Sequence, residues 1–228
     1  VLGAWPNGLQ NLLGADYVTG VGETRTVTLA DGSVMEMNTD TAIAVDFSGD
    51  RRRIEIHRGE AFFTVAKDPA RPFLVNAGQG VARAVGTAFN VEETANAVTV
   101  LVTEGKVRVS RNESDGDAGA GVMLGAGDLA RYGANGDIVV GRADTEEATA
   151  WRQGRLVFAN MALADVVADL DRYRRGKIVL LDSRIAQERF TGLFSLRDTD
   201  QALAAIEATL PVRAVHVTPY LTLLRARD

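Results

Sequence analysis

Residues 53–65 read Arg-Ile-Glu-Ile-His-Arg-Gly-Glu-Ala-Phe-Phe-Thr-Val, and this stretch indicates how the first part of the chain folds. Apolar and polar residues alternate between Arg53 and His57, which is typical of a strand with one buried face. A second strand-like run follows from Ala61 to Val65. Gly59 separates the runs, and glycine supplies the positive φ that a tight hairpin turn requires. The stretch therefore predicts two strands joined by a turn, with His57 on a strand face.

The same alternation recurs through the first 150 residues, with glycine at the breaks between the runs. Short alternating strands separated by turn residues favour an all-β domain of twisted sheets, roll or sandwich-like. The alternating runs include Thr24–Leu29, Ser33–Asn38, Val98–Val102 and Lys106–Ser110, and the breaks include Asp31-Gly32, Glu104-Gly105-Lys106 and residues 125–128.

The pattern changes after residue 150. Apolar residues from Leu163 to Tyr173 fall at steps of three and four, and a second such stripe runs from Leu203 to Leu210, so two helices are predicted. Strand-like runs flank both helices, which predicts a small α/β domain of two β-α-β units. The chain as a whole is expected to have a mixed fold. Trp5 would suit a membrane interface, so residues 1–19 are a candidate juxtamembrane segment. The all-β domain (20–141), a linker (142–150) and the α/β domain (151–228) follow.

The composition excludes several classes of protein. The chain has 228 residues, 46% of them apolar, and a net charge of −5, which is typical of a folded domain without the basic surface of a nucleic-acid-binding protein. It has no cysteine and two histidines, so disulfides and thiolate zinc sites are excluded, and the sequence predicts no metal site and no cofactor. No apolar run reaches the ~20 residues that a membrane-spanning helix needs.

Four strings in the first domain, taken in order, resemble the FecR family of transmembrane sigma-factor regulators. Residues 151–228 are similar to the secretin/TonB short N-terminal domain with which these regulators end. Each string alone is ordinary strand-and-turn chemistry, and the order of the four strings makes the resemblance specific. The strings are residues 24–33 (TRTVTLADGS), 59–66 (GEAFFTVA) with Pro69–Phe73, 84–91 (AVGTAFNV) and 102–107 (VTEGKV).

The resemblance implies that the chain is the periplasmic part of a single-pass inner-membrane protein. Its partner would be the N-terminal signalling domain of an outer-membrane TonB-dependent transducer of the iron and siderophore uptake type. The sigma factor would be bound by a cytoplasmic part that lies outside this sequence. The expected function is signal reception in cell-surface signalling, without enzymatic turnover.

We expect the partner to bind the second domain by strand addition, because small α/β domains expose sheet edges with unpaired amides and carbonyls. Residues 151–228 carry 12 Lys and Arg against 9 Asp and Glu, which favours an acidic partner. The two candidate edges are Lys177–Leu181 and Tyr220–Arg225. Their candidate contact residues are Lys177, Val179, Leu181, Tyr220, Leu221, Thr222, Leu223 and Arg225.

The Gly86-Thr87 pair matches a bond at which some members of the family cleave their own chain. The Thr87 hydroxyl would attack the Gly86 carbonyl carbon, and glycine permits the close approach and distorted backbone that this attack requires. A hydroxyl needs activation by a base or by strain, and Glu92, Glu93 and Glu104 are candidate bases. The alternative interpretation is structural: Gly86 marks a β-bulge and Thr87 is a strand residue.

Other functions are open from sequence. An autocatalytic processing protein, a hydrolase or carbohydrate-binding β-domain, and a secretin-like assembly subunit are all alternatives. Aromatic residues make up 6% of the chain and do not cluster, which disfavours a sugar-binding surface. Arg51-Arg52-Arg53 is expected to be a solvated turn before a strand rather than a nucleic-acid contact.

Overall fold

The computed structural model describes residues 14–49, 51–111, 121–133 and 137–227. Most of the predicted juxtamembrane segment lies outside these ranges. The chain divides into two compact units: Thr24–Thr145 with the residues up to Gly20, and Glu146–Asp228 with Val21–Glu23. The prediction of a β-rich domain is confirmed. Within the described ranges, no helix combines the length and the apolar character needed to cross a membrane.

The described residues of the first unit form a series of β-strands. They are β1 (Tyr17–Val18), β2 (Arg25–Thr28), β3 (Val34–Met37), β4 (Ala42–Asp46), β5 (Arg52–Thr64), β6 (Phe73–Ala77), β7 (Gly80–Ala84), β8 (Ala88–Glu93), β9 (Val98–Glu104), β10 (Lys106–Ser110), β11 (Val122–Gly125), β12 (Asp128–Tyr132) and β13 (Val139–Arg142).

Strand β5 joins the two halves of this strand-rich unit. Its first half, through Arg58, pairs with β4 and β6, whereas its second half, from Gly59, pairs with β3 and β8. The first half of the sheet continues as β6-β7-β10-β11, and the second continues as β8-β9-β12-β13. Residues 53–64 thus belong to one strand of 13 residues, Arg52–Thr64, which changes partners midway, rather than to two strands and a turn.

The chain makes no turn at Gly59, but it still requires glycine at this position. Its φ is +89°, as a turn would require, but the strand continues through it. A Cβ at this position would lie 2.5 Å from the Thr41 Cα and 2.8 Å from the Asp40 carbonyl oxygen. The glycine therefore lets β5 pass directly against the Asp40–Thr41 backbone where it leaves one half of the sheet for the other.

The core of the first unit lies between the two halves of its sheet. Phe63, which is fully buried, contacts Phe73 and Phe89 with ring centroids 5.6 and 5.4 Å apart. Aliphatic side chains from both halves, among them Met35 and Ile54, complete the same cluster. The alternation seen in the sequence supplies this core, because each strand turns every second side chain inward.

Arg52 contradicts the expectation of a solvated arginine turn. Its side chain is fully buried, and its Nη1 lies 2.8 Å from the Asp31 carboxylate. Its Nε donates to the Arg71 carbonyl oxygen at 2.6 Å, and Nη1 also donates to the Ala66 carbonyl oxygen at 3.0 Å. The prediction was wrong for this residue because its planar guanidinium ties a hairpin turn to the loop after β5.

The second unit contains helices and two small sheets. The elements are α1 (Thr145–Ala148), β14 (Arg155–Ala162), α2 (Leu163–Arg172), β15 (Lys177–Leu180), β16 (Arg189–Ser195), α3 (Thr199–Thr209), β17 (Val212–Thr218) and β18 (Leu221–Ala226), with single 3-10 turns at Ala150–Gln153 and Ile185–Gln187.

The pairing in the second unit differs from two separate β-α-β units. Strands β14 and β16 form a two-stranded antiparallel sheet, and β15, β18 and β17 form a three-stranded sheet in that order. The strands before and after each helix therefore belong to different sheets. Helix α2 buries Leu163, Val166, Val167 and Leu170, which is the predicted apolar stripe.

Candidate interaction face and candidate cleavage site

The two predicted sheet edges have different positions in the three-stranded sheet. Strand β15 is an edge strand, paired with β18 on one side only. Strand β18 is the central strand, parallel to β15 and antiparallel to β17, so both of its backbone edges are occupied. The assignment of Tyr220–Arg225 as an edge was therefore wrong, because β15 pairs with β18 across a long stretch of sequence.

The register places most of the predicted contact residues on one face of this sheet. Val179 and Val215 both lie opposite Leu223, so an apolar row crosses all three strands. We call this surface the outer sheet face. The register places Lys177, Val179, Arg213, Val215, Leu221, Leu223 and Arg225 on it. We include Leu181, which follows β15 and donates its amide to the Leu224 carbonyl oxygen, and Val217, which lies at the bulge of β17 between His216 and Thr218. Thr222 is not part of it, because its side chain is 1% exposed and its hydroxyl lies 3.1 Å from the His216 Nδ1.

The outer sheet face carries an unusual amount of exposed apolar surface. Leu181 is 57% exposed, Val217 is 52% exposed, and the adjoining Tyr220 is 66% exposed. Leu181 lies at the Leu224–Arg225 end of the face, Val217 and Tyr220 lie at the Leu221 end, and the row of Val179, Leu223 and Val215 lies between them. Large apolar side chains exposed along one sheet face indicate an interaction surface. The central side chains, Val179 and Leu223, are half-buried by their neighbours.

The charges on this face are basic. Lys177 is paired, since its Nζ lies 2.8 Å from the Asp171 carboxylate. Arg213 and Arg225 are both exposed and lie directly opposite one another in the β17–β18 register. Like charges placed opposite each other across two strands destabilise a sheet, so this pair weakens the isolated domain. No strand position on the face is acidic. The arrangement suits a partner that presents carboxylates beside an apolar surface.

Three residues of the face were missed from sequence: Arg213, Val215 and Val217. Their alternation with Ala214 and His216 was visible in the sequence and predicts a strand with one apolar face. What the sequence did not show is that β15 pairs with the other side of β18, which is what places these side chains on one face with Val179.

The Gly86-Thr87 peptide lies between β7 and β8, where the chain passes from one half of the first unit's sheet to the other. Gly86 is exposed and has a φ of +64°. Thr87 is 5% exposed, and within the described part of the chain its Oγ1 is buried without a hydrogen-bond partner. The peptide thus combines a left-handed glycine with a hydroxyl whose lone pairs are not engaged.

The three candidate bases are not equally placed. Glu104 lies opposite Ala88 in the β8–β9 register, next to Thr87, whereas Glu92 and Glu93 lie at the far end of β8. Burial raises the pKa of Glu93, although its hydrogen bond from the Gly78 amide and the charge of His57 oppose the shift. By position, Glu104 therefore remains a candidate base, whereas Glu92 and Glu93 lie too far along β8 to act at this bond.

Comparisons with known proteins agree with this organisation. The family model described as "FecR protein" matches residues 15–108. Two crystal structures of a "putative anti-sigma factor" from Parabacteroides distasonis ATCC 8503 are similar to this chain, each at 28% identity. The first has a TM-score of 0.79, and the match covers 93% of this chain and 99% of that one. The second has a TM-score of 0.77, and the match covers 93% of this chain and 98% of that one. No curated protein sequence matches the chain.

Proposed function

We propose that this chain is the signal-receiving region of an anti-sigma or sigma-regulator protein, because residues 15–108 match the FecR family model. The similar solved structures support a role in sigma-factor control, since they are described as an anti-sigma factor and extend over both units of this chain. The chain itself works by contact. It transmits a binding event to a sigma-factor-binding part elsewhere in the regulator.

The finer proposal concerns the partner and the compartment. The chain lies in the periplasm, and its second unit binds the N-terminal signalling domain of a TonB-dependent transducer of the iron-uptake type. The outer sheet face carries this proposal, because it combines an exposed apolar row with the opposed pair Arg213 and Arg225. An acidic partner would remove the repulsion between the arginines and cover the apolar row in one step.

A charge on this face should weaken partner binding. We expect Leu181→Asp to lower the affinity for the signalling domain by roughly 30-fold, the size of a hot-spot loss of ~2 kcal/mol. Calorimetric titration of the full chain with a transducer signalling domain from the same organism measures this. Leu193→Asp is the matched control, because Leu193 is 59% exposed but lies on β16, in the other sheet.

Equal loss in the two variants, or no loss in Leu181→Asp, would remove the outer sheet face as the binding surface. Binding that survives Leu181→Asp but is abolished by a proline at Leu180 would instead favour strand addition at the edge of β15. The amides of Lys177 and Leu181 donate towards β18, so alternation turns the Leu180 amide to the free edge, where proline would remove it as a donor.

Self-cleavage between Gly86 and Thr87 is a second candidate function, favoured by the left-handed Gly86 and the unengaged Thr87 hydroxyl. The Thr87 Oγ would attack the Gly86 carbonyl carbon and form an ester, while the Gly86–Thr87 C–N bond breaks and the hydroxyl proton ends on the Thr87 nitrogen. Water would then hydrolyse the ester to a Gly86 carboxylate and restore the Thr87 hydroxyl. This is a single-turnover reaction and not enzymatic catalysis.

Thr87→Val should abolish this cleavage, because valine keeps the shape of threonine and lacks the nucleophile. Thr87→Ser should retain it. Mass spectrometry of the freshly purified full chain gives two masses divided at Thr87 where cleavage has occurred and one mass where it has not. A wild-type chain of one mass, or cleavage that persists in Thr87→Val, would exclude the reaction.

A further inference from the structure

Lys67 and Gly105 pack directly against the Gly86-Thr87 peptide. A Cβ added at Gly86 would lie 3.1 Å from both the Cβ and the Cγ of Lys67. A Cβ added at Gly105 would lie 2.8 Å from the Thr87 Cγ2. The stem of Lys67 therefore closes one side of Gly86, and the missing side chain at Gly105 makes room for the Thr87 methyl group.

We propose that Lys67 and Gly105 are positioning residues for cleavage of the Gly86–Thr87 bond, an inference that rests on the self-cleavage proposed above. The aliphatic stem of Lys67 supports Gly86 in its left-handed conformation. Gly105 seats the Thr87 methyl group, which leaves the hydroxyl of the same side chain free of hydrogen bonds and close to its own peptide bond.

The neighbouring backbone is fixed as the proposal requires. The Val65 amide donates to the Thr87 carbonyl oxygen at 2.9 Å, so the nucleophile's own backbone is held by the end of β5. The next residue, Ala66, is held from both sides. Its amide donates to the Ser33 Oγ at 2.9 Å, and its carbonyl oxygen accepts from the buried Arg52 at 3.0 Å. Lys67 thus extends from an anchored segment.

The reaction makes such support useful because two atoms must meet. The Thr87 Oγ forms the new bond to the Gly86 carbonyl carbon, and the Thr87 nitrogen leaves with the hydroxyl proton. A nucleophile without a strong base depends on alignment, and a misplacement of ~1 Å can slow a reaction by about 100-fold. Lys67 is exposed, so its contribution can be removed without touching the core.

The test is a time course of cleavage after cell-free synthesis of the full chain. We expect Lys67→Ala and Gly105→Ala each to slow cleavage by about tenfold or more. Lys67→Met keeps the stem and removes the charge, so its rate should stay within about twofold of wild type. Gly32→Ala is the control for glycine itself, because Gly32 has a φ of +84°, close to the +81° of Gly105, and has open space where a Cβ would go.

Each outcome decides between the proposals. If Lys67→Ala and Gly105→Ala cleave as fast as the wild-type chain, the positioning roles are overturned and self-cleavage still stands. If Gly32→Ala also cleaves slowly, and its unfolding temperature falls as much as that of Gly105→Ala, the effect is a general loss of stability. That result would overturn the role of Gly105. Slow cleavage in Lys67→Met would assign the effect to the ammonium group and overturn the role of the stem. A wild-type chain that stays intact overturns both proposals.

Discussion

Replacing Arg52 with methionine is expected to lower the free energy of unfolding of the first unit by about 3–5 kcal/mol, the usual cost of leaving one partner of a buried ion pair without the other. The Asp31 carboxylate would keep its hydrogen bonds from Ser33 but lose the guanidinium 2.8 Å away. The carbonyl oxygens of Ala66 and Arg71 would lose their donor as well. Methionine retains the length of the stem, so the loss reports the charge and its hydrogen bonds.

The matched control is Arg58→Met. Arg58 also pairs with an aspartate, since its Nε lies 3.1 Å from the Asp40 Oδ1, but 41% of its side chain is exposed. Exposed ion pairs contribute about 0–1 kcal/mol, so this variant should unfold close to wild type. Chemical denaturation followed by circular dichroism measures both. Similar losses in the two variants would contradict the account of Arg52 as the buried tie of this unit.

Gly59→Ala should have an effect of comparable size for a steric reason. Alanine disfavours a φ of +89°, and its Cβ would fall 2.5 Å from the Thr41 Cα, where backbone and not a flexible side chain must give way. Strain of both kinds at one position is expected to cost about 3–5 kcal/mol. The same denaturation experiment measures this loss.

The second alanine variant separates the two kinds of strain. Gly32→Ala has the same unfavourable φ but nothing within 4 Å of the new Cβ, so it should cost only about 1–2 kcal/mol. The difference between the variants is the cost of pushing β5 away from Thr41. If Gly59→Ala were no worse than Gly32→Ala, the close passage of β5 would not constrain the fold.

The sequence predicted what depends on local pattern and missed what depends on pairing. Alternation gave the strands, and the positive φ at Gly59 was expected. The pattern could not show that the strand continues through this glycine, because the partner change is set by β3, β4, β6 and β8 together. A strand's place in a sheet is likewise a tertiary property, which is why β18 was taken for an edge.

Buried polar groups were beyond sequence reading for the same reason. Arg52 stands among three arginines, and only the fold shows which of them is fully buried. Glu60 is 4% exposed and accepts hydrogen bonds from Asn38 and Asn90, each at 2.8 Å. These residues lie 22 and 30 positions from it along the chain. No local periodicity distinguishes such a carboxylate from a solvated one.

At the candidate cleavage site, the sequence named the bond but not its surroundings. Gly86 and Thr87 were identified as a pair from the sequence. Lys67, in the loop after β5, and Gly105, in the β9–β10 turn, approach them only in the folded chain. Of the three glutamates offered as bases, strand register retained Glu104 alone. The sequence could therefore name a candidate bond and a candidate nucleophile, but not the residues that pack against them.

The central claim is that a partner covers the outer sheet face of the second unit. Hydroxyl-radical footprinting of the full chain, with and without a transducer signalling domain, tests it on the side chains themselves. The account predicts that oxidation of Leu181, Val217 and Tyr220 falls when the partner binds, while oxidation of Leu193 is unchanged. Protection of Leu193 with full oxidation of the three face residues would contradict it.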